Sequence, residues 1–164
     1  MSHFTQKYTI VCFLNPNNIP IEFSASDWPL HATILDTFKT DWSVDDLLQA
    51  IKQAVANTTP FNITPIEGAM LGPDKDVPVK LLEQDAHILD LHSTLLDLTK
   101  PGSFVFNTPE FVGEGFLPHV TDRLDGQVDI GKTYTFASVS LVDMFPGGDP
   151  YQRKVIETIQ FNRA

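Results

Sequence analysis

The amino-acid sequence predicts an α+β fold built on a largely antiparallel sheet. Strand-like and helix-like segments follow one another without the regular β-α-β alternation of parallel sheets. The last two strand-like segments, 133–145 and 151–161, are separated by the turn-forming stretch 145–150, which is typical of an antiparallel hairpin. A short His-x-Thr triplet occurs twice, at 31–33 and 119–121, and this repeat suggests two pseudosymmetric lobes.

The first half of the chain predicts two strands, a helix and an extended segment. Segments 8–14 and 30–35 are rich in β-branched and aliphatic residues and contain no breakers, which is typical of strands. Ser43 is placed to cap a helix whose apolar side chains follow three- and four-residue spacing, and segment 57–60 ends it. Segment 61–71 is predicted to be extended.

The second half predicts a strand, a second helix and the terminal hairpin. Segment 77–82 is strand-like, and Asp85 is placed to cap a helix that Lys100-Pro101-Gly102 ends. The Phe-rich segment 103–116 is predicted to be a loop, and the second triplet follows it in a short strand. Segment 133–145 alternates along its whole length, so one long strand is predicted there.

The composition indicates a single domain, residues 1–164, with a core of ordinary size. A net charge of −10 and a pI of about 4.7 argue against a protein that grips long nucleic acid, which needs clustered Lys and Arg. The lone Cys12 cannot form an internal disulfide. No signal peptide or membrane-spanning segment is evident. We therefore expect a monomer in a reducing cytoplasm, without membrane contact.

The two triplets, His31-Ala32-Thr33 and His119-Val120-Thr121, are the main functional signal of the chain. Each lies in an apolar, strand-like setting. Because alternate side chains of a strand share a face, each triplet presents one imidazole and one hydroxyl on the same side. If the two strands face each other, the resulting site holds two imidazoles and two hydroxyls.

Such a site can bind a phosphate and move two protons without a metal ion or cofactor. Hydrolysis of a cyclic phosphodiester needs a base that takes a proton from water and an acid that protonates the departing alkoxide. Histidine suits both roles because its usual pKa of about 6.5 lies near working pH. The threonine hydroxyls would donate hydrogen bonds to phosphate oxygens as charge develops. With an alcohol in place of water, the same site would run the reverse ligation.

The sequences His31-Ala32-Thr33-Ile34-Leu35 and Pro118-His119-Val120-Thr121 resemble the two motifs of the two-histidine (2H) phosphoesterase superfamily, and most closely its RNA 2′,5′-ligase and 2′,3′-cyclic phosphodiesterase branch. The resemblance implies a bilobal α+β fold with both motifs facing a central groove. It implies His31 and His119 as the acid–base pair, and Thr33 and Thr121 as phosphate-binding residues. It also implies a metal-independent enzyme that acts on small cyclic nucleotides or RNA ends.

Three further expectations concern residues beside the triplets. Asp122 departs from the apolar residue usual at that position of the motif. It should point away from His119 if the strand continues, or it marks an early strand end with Asp125-Gly126 as the following turn. If the strand continues, Arg123 would share the face of His119 and is a candidate phosphate contact. Trp28 and Phe116, each three residues before a motif histidine, are candidates for stacking on a base.

The remaining histidines do not suggest a metal site. His87 and His92 are five residues apart on the second helix, which does not align them as ligands, and both are expected at the surface or an interface. A site made of His31, His119 and Asp122 lacks a local ligand pair, so no metal is predicted.

Two alternatives to the cyclic phosphodiesterase stay open from the sequence alone. One is a non-catalytic nucleotide-binding module, for which the departure at Asp122 is the support. The other is a hydrolase of a phosphodiester outside RNA metabolism, which the negative net charge favours.

Overall fold

The computed structural model describes residues 6–100, 104–123 and 126–162, in which strands predominate over two helices. The two helices are α1 (Val44–Ala54) and α2 (Ala86–Asp97). The strands, in chain order, are β1 (Gln6–Phe13), β2 (Glu22–Ser24), β3 (His31–Thr40), β4 (Phe61–Ile63), β5 (Pro65–Leu71), β6 (Val77–Leu82), β7 (Phe104–Phe106), β8 (His119–Thr121), β9 (Tyr134–Phe136), β10 (Ser138–Asp143) and β11 (Gln152–Gln160).

Nine of these strands form one antiparallel sheet with the order β2-β11-β10-β1-β3-β8-β6-β5, and β7 pairs with the far end of β3. Strands β4 and β9 form a separate two-stranded sheet. The two strands that carry the triplets, β3 and β8, are neighbours in the middle of the large sheet. The predicted α+β class with a largely antiparallel sheet is confirmed.

The two faces of the large sheet differ in what covers them. Both helices pack on one face, which we call the helix face, and most of the buried side chains lie there, among them Ala32, Ile34 and Val120. The opposite face, which we call the open face, carries a smaller cluster around Val11 and Phe13. Since side chains alternate along a strand, the histidine and threonine of each triplet project from the open face.

The helices begin where capping chemistry predicts. The Ser43 hydroxyl accepts a hydrogen bond from the Asp46 N–H at 3.1 Å, and the Asp85 carboxylate accepts one from the His87 N–H at 2.8 Å. Both side chains satisfy amide groups that the first helical turn leaves without an intrahelical partner. Pro101 and Gly102, expected to end α2, lie outside the described residues.

Segment 133–145 is not the single long strand that its alternation predicts. It is divided at Ala137 because the two parts have different partners: Tyr134–Phe136 pair with β4, whereas Ser138–Asp143 pair with β1 and β11. The predicted hairpin with 151–161 is confirmed as β10 and β11. Segment 103–116, predicted to be a loop, contains the short strand β7.

Strand β3 also continues further than predicted, to Thr40, because its second half pairs with both β1 and β7. The single-domain boundary 1–164 and the two pseudosymmetric lobes stay predictions. None of the described helices has the length and apolar character needed to cross a membrane.

Candidate active site

One residue pair fixes the relation between the two triplets. Ala32 of β3 lies opposite Val120 of β8 in antiparallel register. His31 therefore lies opposite Thr121, and Thr33 lies opposite His119. Each imidazole of one strand thus faces a hydroxyl of the other, on the open face. The two histidines occupy a diagonal, for which cross-strand spacing is roughly 7–8 Å, enough to place one phosphate between them.

The two imidazole rings are held in the same way. His31 Nδ1 lies 2.9 Å from the carbonyl oxygen of Pro29, and His119 Nδ1 lies 2.8 Å from that of Leu117. A carbonyl oxygen can only accept, so each Nδ1 carries the proton and donates. In the neutral ring, Nε2 is then a proton acceptor, and in the protonated ring it is a donor. Each histidine can serve as base or acid through Nε2 alone.

His31 is the more perturbed of the two. Trp28 packs against its ring at a centroid distance of 4.3 Å, and Phe13 contacts its edge at 6.1 Å. This burial lowers the pKa of His31 to about 4, although the hydrogen bond to Pro29 opposes the shift. The positive charges of Arg123 and His119 lower the pKa further. His31 is therefore neutral at physiological pH.

Burial also lowers the pKa of His119 below its ordinary value, and the hydrogen bond to Leu117 again opposes the change. A bound anion would have the opposite effect, because a negative charge favours the protonated ring. The two imidazoles thus differ in their surroundings and in how far their pKa values are lowered. Such a difference is the condition for assigning one as base and the other as acid.

A cavity of about 290 Å³ adjoins the triplets and is mostly apolar. Thr33, His119 and Thr121 line it, whereas His31 does not, since Trp28 and Phe13 cover much of its ring. The remaining walls come from strand β3, the hairpin of β5 and β6, and the segment before β8. They are Asp36, Leu71, Gly72, Val77, Val79, Phe111, Phe116 and Leu117.

His92 was expected at the surface or an interface, and this expectation is wrong: the residue is 2% exposed and lies within the core. Its Nδ1 lies 2.7 Å from the carbonyl oxygen of Ile34, and its Nε2 accepts the N–H of Gly113 at 2.9 Å. Strand β8 pairs with β3 only at Ala32, and β7 begins to pair at Phe38, so the Ile34 carbonyl lies in a gap between strand partners. A buried polar group needs a partner, and His92 supplies it. Helical spacing alone gives no sign of this role.

The segment before the second triplet is shaped around His92. The Phe116 ring stacks on His92 at 4.0 Å, with the two planes 2° apart. A side chain at Gly115 would overlap the carbonyl oxygen of Glu110, so the segment depends on glycine at this position. Phe116 lines the cavity, and one face of its ring is covered by His92, so its role in stacking on a base stays a prediction.

Trp28, the other candidate for base stacking, is engaged within the protein. Besides His31, its ring contacts Phe23 at 5.0 Å, and the Arg153 guanidinium lies 5.9 Å from its centroid. Arg153 in turn donates through Nη1 to three backbone carbonyls, those of Met144, Pro150 and Gln152. The structure therefore places Trp28 as a packing partner of His31.

Strand β8 ends at Thr121, so Asp122 marks the early strand end that was the alternative expectation, and its carboxylate still points away from the two histidines. Its carboxylate forms an ion pair of 2.7 Å with Lys80, which lies opposite Val120 on β6. Because Val120 faces the helix side, this ion pair lies on the other side of the strand from His119. Arg123 follows, and its backbone pairs with Gly126. The trio His31, His119 and Asp122 is not assembled as a metal site.

A model of the 2′-5′ RNA ligase superfamily matches residues 20–131, which include both triplets. The chain belongs to this superfamily. None of the curated proteins compared with the chain matches it.

Several solved structures share the fold of this superfamily member. E. coli LigT complexed with 3′-AMP superposes with a TM-score of 0.58 at 14% identity, covering 96% of this chain and 99% of LigT. A phosphoesterase structure gives 0.59 at 12% identity, with coverage of 96% and 99%. The protein TT0787 of Thermus thermophilus gives 0.58 at 15% identity, with 94% and 97%. At these identities the likeness shows the fold.

Proposed function

We propose that this protein is a metal-independent phosphodiesterase that opens 2′,3′-cyclic phosphates of nucleotides or RNA ends. The observation that carries the proposal is the antiparallel pairing of Ala32 with Val120, which sets His31 and His119 on a diagonal of one sheet face. Membership of the 2′-5′ RNA ligase superfamily supports it. The crystal structure of E. coli LigT, which has the same fold, in complex with 3′-AMP also supports it.

In the proposed reaction His31 is the general base and His119 the general acid. Neutral His31 takes a proton from water through Nε2, and the water oxygen bonds to phosphorus. The bond from phosphorus to one ribose oxygen breaks, and His119 Nε2–H gives its proton to that oxygen. Two imidazoles acting in this way contribute roughly 10²- to 10⁴-fold per proton transfer. The lowered pKa of His31 favours this assignment, because it keeps the base neutral.

Thr33 and Thr121 are the proposed donors to the non-bridging phosphate oxygens, since both hydroxyl-bearing side chains line the cavity beside His119. Arg123 is proposed to contribute positive charge, because it lies near enough to His31 to affect the pKa of that imidazole. Donors that are already oriented stabilise developing negative charge most efficiently. The same steps, with the 5′-hydroxyl of a second nucleotide replacing water and with the bond from phosphorus to the 3′ oxygen breaking, would form a 2′,5′ linkage.

The alternatives differ in their support. Asp122 was the reason to consider a non-catalytic binding module, but its ion pair with Lys80 lies on the other side of the strand from the cavity. That departure therefore gives no reason to expect loss of catalysis. A hydrolase of a phosphodiester outside RNA metabolism stays an alternative, and a substrate panel separates it from the proposal.

The test is incubation of the protein with the four nucleoside 2′,3′-cyclic phosphates in EDTA, with products separated by chromatography. We expect turnover to a nucleoside monophosphate, lost in His31→Ala and in His119→Ala. His87→Ala is the matched control, because the His87 side chain is 64% exposed and lies outside the cavity.

Folding of each variant is checked by its circular dichroism spectrum and melting curve. Absence of turnover of all four nucleotides, and of a short RNA that ends in a 2′,3′-cyclic phosphate, by the folded wild-type protein would rule the proposal out. Turnover that EDTA abolishes would contradict the metal-independent mechanism specifically.

A further inference from the structure

We infer that Asp36 makes the cavity selective for nucleobases that carry an exocyclic amino group, so that a cytosine nucleotide is preferred over a uracil nucleotide. This inference rests on the proposed function, since it takes the cavity beside the triplets as the nucleotide site. Asp36 is the one carboxylate among the described residues that line this cavity. The mechanism of phosphate opening does not use it.

A β-bulge brings Asp36 into the cavity. Ile10 pairs with Leu35, but the next residue of β1, Val11, pairs with Thr33, so β3 has one extra residue at this point. Without the bulge, residues three apart in a strand would point to opposite faces. With it, Thr33 and Asp36 both line the cavity. Bulges are known to redirect side chains in this way.

The Asp36 carboxylate is held by two neutral donors. Its Oδ2 accepts the Thr108 N–H at 2.8 Å and the Thr108 hydroxyl at 2.7 Å. Within the described part of the chain, neither an ion pair nor a hydrogen bond to Oδ1 is formed. The carboxylate is thus fixed in orientation through one oxygen, and the other oxygen is available to accept a hydrogen bond from a ligand.

The surroundings of Asp36 suit the base of a nucleotide. Thr108 begins the turn that ends at Phe111, whose N–H donates to the Thr108 carbonyl at 2.9 Å. Phe111 and Phe116 line the same cavity and offer flat apolar surfaces. A planar ring with a polar edge matches an apolar cavity whose described lining holds a single carboxylate.

The distance from the triplet also indicates the base. Strands rise roughly 3.3 Å per residue, so Asp36 lies roughly 7–10 Å along β3 from Thr33, which is proposed to hold the phosphate. In a 2′,3′-cyclic phosphate the 2′ and 3′ oxygens of the ribose are both esterified, so neither can donate a hydrogen bond. Apart from the 5′-hydroxyl, the donors that can reach Asp36 are therefore those of the base.

A carboxylate accepts hydrogen bonds and donates none, so it distinguishes base edges. The 4-amino group of cytosine is a donor, and Asp accepts from it, whereas uracil has a carbonyl oxygen at the same position. The two bases are otherwise of equal size. Loss of a hydrogen bond to a charged group, or its replacement by repulsion, weakens the binding affinity by about tenfold to a hundredfold.

The test compares cytidine and uridine 2′,3′-cyclic phosphates in two measurements, kcat/KM and the dissociation constant from calorimetry. We expect a preference for the cytidine nucleotide of about tenfold or more, and near-equal values in Asp36→Asn. The asparagine amide still accepts from both Thr108 donors through its oxygen, and its N–H₂ can donate to the uracil carbonyl. Asp41→Asn, at an exposed position just after β3, is the matched control for the change of charge.

Thr108→Val is a second variant that leaves the carboxylate in place. It removes one of the two donors to Oδ2, so we expect the cytidine preference to fall without disappearing. This variant keeps the inference testable if Asp36→Asn does not fold.

The outcomes separate this inference from the proposed function. Turnover of both nucleotides with equal efficiency, or with the same ratio in Asp36→Asn, would overturn the role of Asp36 and leave the phosphodiesterase intact. Selective binding of the cytidine nucleotide without turnover would support Asp36 and contradict the proposed function. Failure of the wild-type protein to bind or convert either nucleotide would overturn both.

Discussion

The imidazole of His92 lies parallel to the ring of Phe116, with centroids 4.0 Å apart, and so connects α2 to the segment before the second triplet. Through its two nitrogens the same ring binds the backbone of Ile34 and of Gly113. One buried side chain thereby sets the distance between the strand of the first triplet and the approach to the second.

Replacement of His92 is expected to affect both stability and substrate binding. His92→Asn can keep the hydrogen bond to Ile34 but loses that to Gly113 and the stacking on Phe116. We expect the free energy of unfolding to fall by about 1–3 kcal/mol, the range for a buried hydrogen-bond partner left unsatisfied. KM should rise more than kcat falls, because Phe116 moves while His119 stays in its strand. Urea denaturation and steady-state kinetics measure the two effects. Equal losses in kcat and kcat/KM would contradict the positioning role.

Trp28 is expected to control the pKa of His31. Its removal in Trp28→Ala exposes the imidazole, so the pKa should rise from about 4 toward 6.5, whereas Trp28→Phe keeps part of the cover. NMR titration of the imidazole protons gives the pKa directly in each variant. An unchanged value in Trp28→Ala would show that Trp28 burial is not the cause of the low pKa.

The pH dependence of kcat/KM follows from the two lowered histidine pKa values. The proposed base, His31, must be neutral, so activity is lost only as pH falls through about 4. The proposed acid, His119, must be protonated, so activity in the free enzyme falls as pH rises through a pKa below its usual 6.5. We expect a bell-shaped profile with its maximum on the acid side of neutrality. Substrate phosphate favours protonated imidazole, so the kcat profile should lie at higher pH. A kcat/KM maximum above pH 7 would contradict the assignment.

The hydroxyls of Thr33 and Thr121 are expected to act in the transition state. Thr33→Val and Thr121→Val keep shape and β propensity but remove the donor, and each should lower kcat by about 10²- to 10³-fold. Serine at either position should restore most of the activity. Thr135→Val, on β9 and outside the cavity, is the control. Steady-state kinetics with nucleoside 2′,3′-cyclic phosphates make the comparison, and full activity in Thr33→Val would exclude the proposed role of its hydroxyl.

Local patterns were sufficient to predict the helices and most strands. Ser43 and Asp85 mark helix starts through short-range hydrogen bonds, and apolar spacing supplies the rest. The break at Ala137 in segment 133–145 could not be predicted in this way, because it arises where the segment changes from one partner strand to another. Pairing partners are distant in sequence, and alternation is the same whichever strand supplies them.

Only part of the candidate site could be predicted, because only the triplets are recognisable from local spacing. The triplets carry a spacing of two residues, which fixes a common face without knowledge of the fold. His92 and Asp36 carry no such spacing. His92 binds the Ile34 carbonyl in a gap between strand partners, and a bulge turns the Asp36 side chain into the cavity. Both features depend on the register of β3 against its neighbours. Register cannot be derived from β3 alone.

The division of the sheet into a helix face and an open face bears on how this protein can acquire new specificities. Most of the buried apolar side chains lie beneath the helices, whereas cavity walls such as Val77 and Phe111 are 36% and 48% exposed. Substitutions in those walls remove little buried surface, so they cost little folding free energy. The lining of the cavity can therefore change while the apolar core beneath the helices stays intact.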